Sequence, residues 1–102
     1  MPKFKFELPA PIDSATAYKK IKILLNSENE FKRFDPKVAC TFDEASKKCF
    51  VTGGQFKAEL QVKDAEDKSS QISVEVELPL ALSLFKGKIK ETLEKNLKKI
   101  LS

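Results

Sequence analysis

The run Val74-Glu75-Val76-Glu77-Leu78-Pro79-Leu80-Ala81-Leu82-Ser83-Leu84-Phe85-Lys86-Gly87-Lys88-Ile89-Lys90-Glu91 decides how the chain is read. Up to Leu78, apolar and charged residues alternate with period two. That is the signature of a strand with one dry face and one wet face. Beyond Pro79 the period changes. Across residues 81–101, Leu82, Phe85, Ile89, Leu93, Leu97 and Ile100 fall on one arc of about 120° at 100° per residue. Lys88, Lys95 and Lys99 lie on the opposite side. Pro79 suits the first turn of a helix, where a missing N–H costs nothing. Gly87 is the weak point, because glycine inside a helix costs about 1 kcal/mol against alanine. It marks either a late helix start or a close backbone approach.

Working back toward the N-terminus, Ile72 extends the same strand. Phe56, Ala58, Leu60 and Val62 alternate with Lys57, Glu59, Gln61 and Lys63, and the polar run 64–70 joins the two strands. Gly53-Gly54 reads as a two-residue hairpin loop in a primed turn, which needs φ > 0 and sets Val51 opposite Phe56. No GxGxxG or GxxxxGK[ST] accompanies the glycines, so a phosphate loop is set aside. Val38, Cys40 and Phe42 alternate, 43–46 turns, and Cys49 and Val51 alternate again. If the turn faces Phe42 to Lys47, Cys40 stands opposite Cys49. The pair is then either a redox link or two small buried hydrophobes. Its spacing fits no CxxC or zinc motif.

The chain opens with Lys3-Phe4-Lys5-Phe6-Glu7-Leu8, a half-buried strand that Pro9 and Pro11 are expected to end. Asp13 or Ser14 can cap a helix, with Ile12 as its staple residue. Ala17, Tyr18, Ile21, Leu24 and Leu25 share one face of that helix. Ser27 and Glu30 have capping-box spacing, which predicts a second short helix to Arg33 with Phe31 and Phe34 turned inward.

The element order is β-α-β-β-β-β-α in one domain, residues 1–102. This predicts an α+β fold, an antiparallel sheet of about five strands wrapped on a long C-terminal helix. A space between sheet and helix would be lined by Phe56, Leu60, Val74, Val76, Phe85 and Ile89. Such a cavity is a default apolar binding site. The alternative is that the same side chains fill it as solid core.

Composition limits the chemistry. The 102 residues carry 19 Lys+Arg and 15 Asp+Glu, a net charge of +4, with no histidine. That excludes imidazole acid-base catalysis, histidine metal sites and the usual nucleophile–base pairs. Ser14, Ser69 and Ser70 have no base to activate them. Glu75 and Glu77 fall on the wet face of their strand, away from the desolvated cleft that would tune a catalytic pair. No metal or cofactor is predicted, and the protein is not expected to be an enzyme. The charges are mixed rather than gathered in a basic stripe, which argues against nucleic acid. Lys86, Lys88 and Lys90 remain as a patch that can touch an anionic surface. No run approaches the ~20 apolar residues of a membrane span, and no signal-peptide pattern opens the chain. The expected location is the cytoplasm.

Residues 74–91 quoted above also resemble the polyhydroxyalkanoic acid system protein family. The matching features are the alternating strand ending in Leu78-Pro79, the apolar bridge, and Phe85-Lys86-Gly87-Lys88-Ile89 leading into the C-terminal helix. The earlier strand, helix and hairpins agree in order. The resemblance implies a small bacterial accessory protein encoded beside the genes of polyhydroxyalkanoate granules, with no catalytic motif to carry over. Implied partners are the granule surface or a granule protein. The layout is also similar to a reduced START-like helix-grip domain, a superfamily in which many members bind hydrophobic ligands. Two expectations follow from these likenesses. One is a non-enzymatic accessory protein that binds an apolar surface, an acyl ligand or a partner protein. The other is a small carrier of a hydrophobic small molecule.

Overall fold

The computed structural model describes residues 3–26, 37–54 and 56–101. The expected short helix at 27–33, with Phe31 and Phe34, lies outside the described residues. In chain order the elements are β1 (Lys3–Ala10), α1 (Ser14–Asn26), β2 (Ala39–Asp43), β3 (Lys48–Thr52), β4 (Lys57–Asp64), β5 (Ser70–Glu77) and α2 (Lys86–Leu101). A 3-10 turn, Glu66–Lys68, links β4 to β5, and a 3-10 helix, Leu80–Phe85, bridges β5 to α2. The five strands form one antiparallel sheet in the order β1-β5-β4-β3-β2. The α+β fold read from the sequence is the fold observed.

Period-two alternation becomes continuous apolar rows once the strands pair. Phe42, Cys49, Leu60, Val74 and Phe6 stand side by side across all five strands. Cys40, Val51, Ala58, Val76 and Phe4 form the next row, and Val62, Ile72 and Leu8 a third. The opposite face carries the charges, including a Lys3–Glu75 pair at 3.8 Å and a Lys48–Glu59 pair at 3.5 Å. Glu75 and Glu77 thus lie on the wet face, as their alternation required.

Two helices share the cover of the dry face. α1 packs on β2, β4 and β5, and α2 packs on β1 and on α1. Ala17, Tyr18, Ile21 and Leu25 of α1 are buried, as are Leu93, Leu97 and Leu101 of α2. α1 is fixed at its start by Asp13. The Asp13 carboxylate accepts from the Thr16 hydroxyl at 2.6 Å and from the Thr16 backbone N–H at 3.2 Å. These bonds favour the charged carboxylate and lower its pKa, the Thr16 hydroxyl contributing most. Farther along, the Tyr18 hydroxyl donates to the Lys48 carbonyl at 3.3 Å. Lys22 pairs with Glu44 and lies 5.5 Å over the Phe42 ring.

Four local expectations need correction. β1 does not stop at Leu8: it runs through Pro9, paired with Gln71, to Ala10. The reason is its place at the sheet edge, where proline's missing N–H breaks no central ladder. The β2–β3 turn keeps four residues but sits one position later than expected, at 44–47, with Lys47 in the left-handed region at φ 54. Phe42 therefore pairs with Cys49 and Cys40 with Val51. The cysteines are diagonal rather than opposite and form no disulfide with each other; the Cys40 thiol donates to the Leu25 carbonyl at 3.7 Å.

The β3–β4 connection is also wider than a two-residue hairpin. Thr52 pairs with Lys57 and Val51 with Ala58, while Gly53 N–H donates to the Phe56 carbonyl at 2.8 Å. Neither glycine has positive φ, so the primed turn is not formed. The wider loop lets Phe56 leave the ladder and bury itself at 3% exposure. Finally, α2 starts at Lys86, and residues 80–85 wind as a tighter 3-10 helix. A Cβ built at Gly87 would meet nothing within 4 Å. Gly87 therefore marks the late helix start and not a close approach.

Candidate functional site

The six residues expected to line a cavity separate into two groups. Leu60, Val74 and Val76 are at 1%, 0% and 0% exposure, inside the core cluster with Phe56. α1 packs over β4 and β5, and its Ala17 and Ile21 are equally dry. Phe85 does not join them. It is 49% exposed, and Ile89 is half-buried at the core margin. The expected arc placed Phe85 on the buried stripe by assuming α-helical spacing from residue 81. The 3-10 helix turns faster, at 3.0 residues per turn, so the bridge drifts out of phase with α2. The first turns of α2 cover Phe4 and Phe6 with lysine stems instead: Lys86 Nζ and Lys90 Nζ each lie 5.9 Å over one of these rings.

What the sequence reading missed is the outside of the bridge. Leu80 is 78% exposed and Leu84 is 91% exposed, beside the half-exposed Phe85. Large apolar side chains this open in one short segment mark interaction surfaces. A signal for them was present. On the helical wheel that gathers Leu82 with Leu93 and Ile100, Leu80 and Leu84 fall on the opposite side.

A groove of about 460 Å³ opens beside the bridge, lined by Gly53, Gly54, Phe56, Lys57, Pro79, Ala81 and Leu82. Of the six expected site residues, only Phe56 lines it. Side chains three apart stack in a 3-10 helix. Leu84 thus follows Ala81 and Phe85 follows Leu82 along the groove wall, while Leu80 stacks with Ser83 on the remaining side. The bridge is held by its own bonds, Leu82 N–H to the Pro79 carbonyl at 2.9 Å and the Ser83 hydroxyl to the Leu80 carbonyl at 2.7 Å.

Among the described residues, Lys57 is the ionisable side chain that lines the groove. Among the described residues no group of three or more His, Cys, Asp or Glu side chains is placed to hold a metal. The strongly perturbed thiol is elsewhere, under α1. Burial pushes Cys49 up to about 12, with the Cys40 thiol adding to the rise. Burial likewise raises Tyr18, which faces it. Neither is poised as a nucleophile, because the reactive thiolate is disfavoured. Among the described residues no helix is long and apolar enough to cross a membrane.

The family model described as "putative polyhydroxyalkanoic acid system protein" matches residues 18–101. No curated protein matches the sequence. Among solved structures, a START superfamily protein from Mycobacterium smegmatis superposes with a TM-score of 0.65 at 11% identity, covering 97% of this chain and 96% of that one. A protein from Thermus thermophilus gives a TM-score of 0.62 at 11% identity, covering 98% and 94%. At such identities the likeness establishes the START-like fold.

Proposed function

This chain belongs to the polyhydroxyalkanoic acid system protein family, and we propose that it serves that system as a non-enzymatic docking protein for an apolar surface. The observation that carries the reading is the exposure of Leu80, Leu84 and Phe85 on a segment fastened at both ends to the folded core. Each side chain would gain about 1.5–3 kcal/mol on full transfer from water to an apolar phase. The surface of a polyhydroxyalkanoate inclusion is such a phase, and the family setting makes it the natural partner. The carrier alternative has less support. Of the side chains expected to line an enclosed space, Phe56, Leu60, Val74 and Val76 are buried in the core, and the groove beside the bridge is open to solvent.

The test is co-sedimentation with particles of purified polyhydroxybutyrate. Wild-type protein should bind, and the triple variant L80S/L84S/F85S should bind at least tenfold more weakly while unfolding at the same urea concentration. Unchanged binding by a folded triple variant would remove the bridge from the account. A lipid that co-purifies with the protein, seen by native mass spectrometry, would restore the carrier.

A further inference from the structure

The apolar bridge is bordered by positive charge. Lys86, its Nζ over the Phe4 ring, and Lys88 lie in the first turn of α2 after Phe85, and Lys57 lines the neighbouring groove. All three are exposed, and among the described residues none makes an ion pair with a carboxylate. Lys90, one turn on, is engaged with Glu94 at 3.7 Å. The acidic groups at this end are Glu77, opposite Lys57 in the ladder, and Glu91, beyond Lys88 in α2. Cations thus outnumber carboxylates around the patch. Elsewhere on the wet sheet face, Lys3 and Lys48 each have a glutamate.

Resting on the reading that this bridge inserts into apolar matter, we infer that its partner surface is an anionic phospholipid layer. Leu80, Leu84 and Phe85 enter the acyl boundary, and Lys57, Lys86 and Lys88 meet the headgroup phosphates. An uncharged polyester face would use the leucines and leave the lysines unpaired. A layer of anionic headgroups over acyl chains matches both parts of the patch. The bridge is six residues long, so it lies in the interface and does not span it.

Flotation with two vesicle preparations tests this. One is phosphatidylcholine alone, and the other includes about a third phosphatidylglycerol. Each lysine near an anionic surface strengthens binding about fivefold. Wild-type protein should therefore favour the phosphatidylglycerol vesicles by on the order of a hundredfold at low salt, and the preference should fade as salt rises. K57Q/K86Q/K88Q should lose the preference but keep its binding to bare polyhydroxybutyrate particles. L80S/L84S/F85S should lose both. Equal binding to the two vesicle types, or to polyester alone, overturns the lipid inference and leaves the apolar docking reading standing. Failure to bind any of the three surfaces overturns both. Vesicle binding that survives the loss of Leu80, Leu84 and Phe85 would be a general polyanion contact and also overturns the inference.

Discussion

Two apolar triplets stand on either side of Pro79, and they have opposite fates. Val74, Val76 and Leu78 are at 0–1% exposure, whereas Leu80, Leu84 and Phe85 are at 78%, 91% and 49%. Hydrophobicity does not separate them. Neighbours do. Val74 and Val76 project from β5, an interior strand of the sheet, and Leu78 follows just beyond its end, on a face covered by α1 and α2. The second three lie on a connection that leaves the sheet before α2 turns back over β1. Leu80 and Leu84, left open to solvent, add little to the fold by burial. The structure therefore divides residues 74–85 into a part that holds the fold and a part whose apolar side chains stay largely exposed.

The largest expected effect checks that division directly. Leu97→Ala empties a buried site in α2 and should cost about 2–5 kcal/mol, read from urea denaturation. Leu84→Ala should change stability by less than about 0.5 kcal/mol in the same assay. Comparable losses at the two positions would erase the distinction between the regions.

Next in size is an alkaline effect confined to the buried side. Cys49 ionises near 9.0 in the ordinary case and is pushed up to about 12 here. Above pH 9 the unfolded chain releases a proton that the native chain keeps, so stability must fall as pH rises. The slope approaches about 1.4 kcal/mol per pH unit. Tyr18, also raised, adds the same sign at higher pH. Denaturation at pH 8 and pH 10 should show the fall in wild type and a shallower one in Cys49→Ala. An equal slope in both would place the titrating group elsewhere.

A smaller change has the opposite sign. Open space around Gly87 predicts that Gly87→Ala stabilises by about 0.5–1 kcal/mol, measured as a raised urea midpoint. A loss would mean that the start of α2 needs glycine's conformational freedom. Smallest of all is Asp13→Asn. Thr16 lowers the Asp13 pKa, so the charged cap's advantage is present at neutral pH and lost as pH falls through that lowered value. The two proteins should differ slightly at pH 7 and converge in acid.

Much of the fold was legible in the sequence because period-two alternation is nearly uninterrupted in 56–62 and 72–78, and because Leu93 and Leu97 keep the helical period. Local geometry was harder. Whether Cys40 faces Cys49 depends on one left-handed residue, Lys47, which no composition rule singles out. Pro9 read as a terminator because the position of β1 at the edge follows from pairing, not from its own residues. An α-helical wheel extended through residues that wind as 3-10 sets Phe85 on one arc with Leu93 and Leu97, and gives Leu80 and Leu84 no place in the candidate site. That Leu60, Val74 and Val76 face one interior follows from their alternation, whereas the packing of α1 over β4 and β5 follows only from tertiary contacts.

The central claim is that the bridge, and not an interior cavity, is the working surface. Hydrogen exchange of particle-bound against free protein measures this most directly. Bound to polyhydroxybutyrate, residues 79–88 should exchange more slowly, with weaker protection at 53–57 and none on the wet face of β4 and β5. Protection confined to the buried core, with the bridge unchanged, would contradict the account.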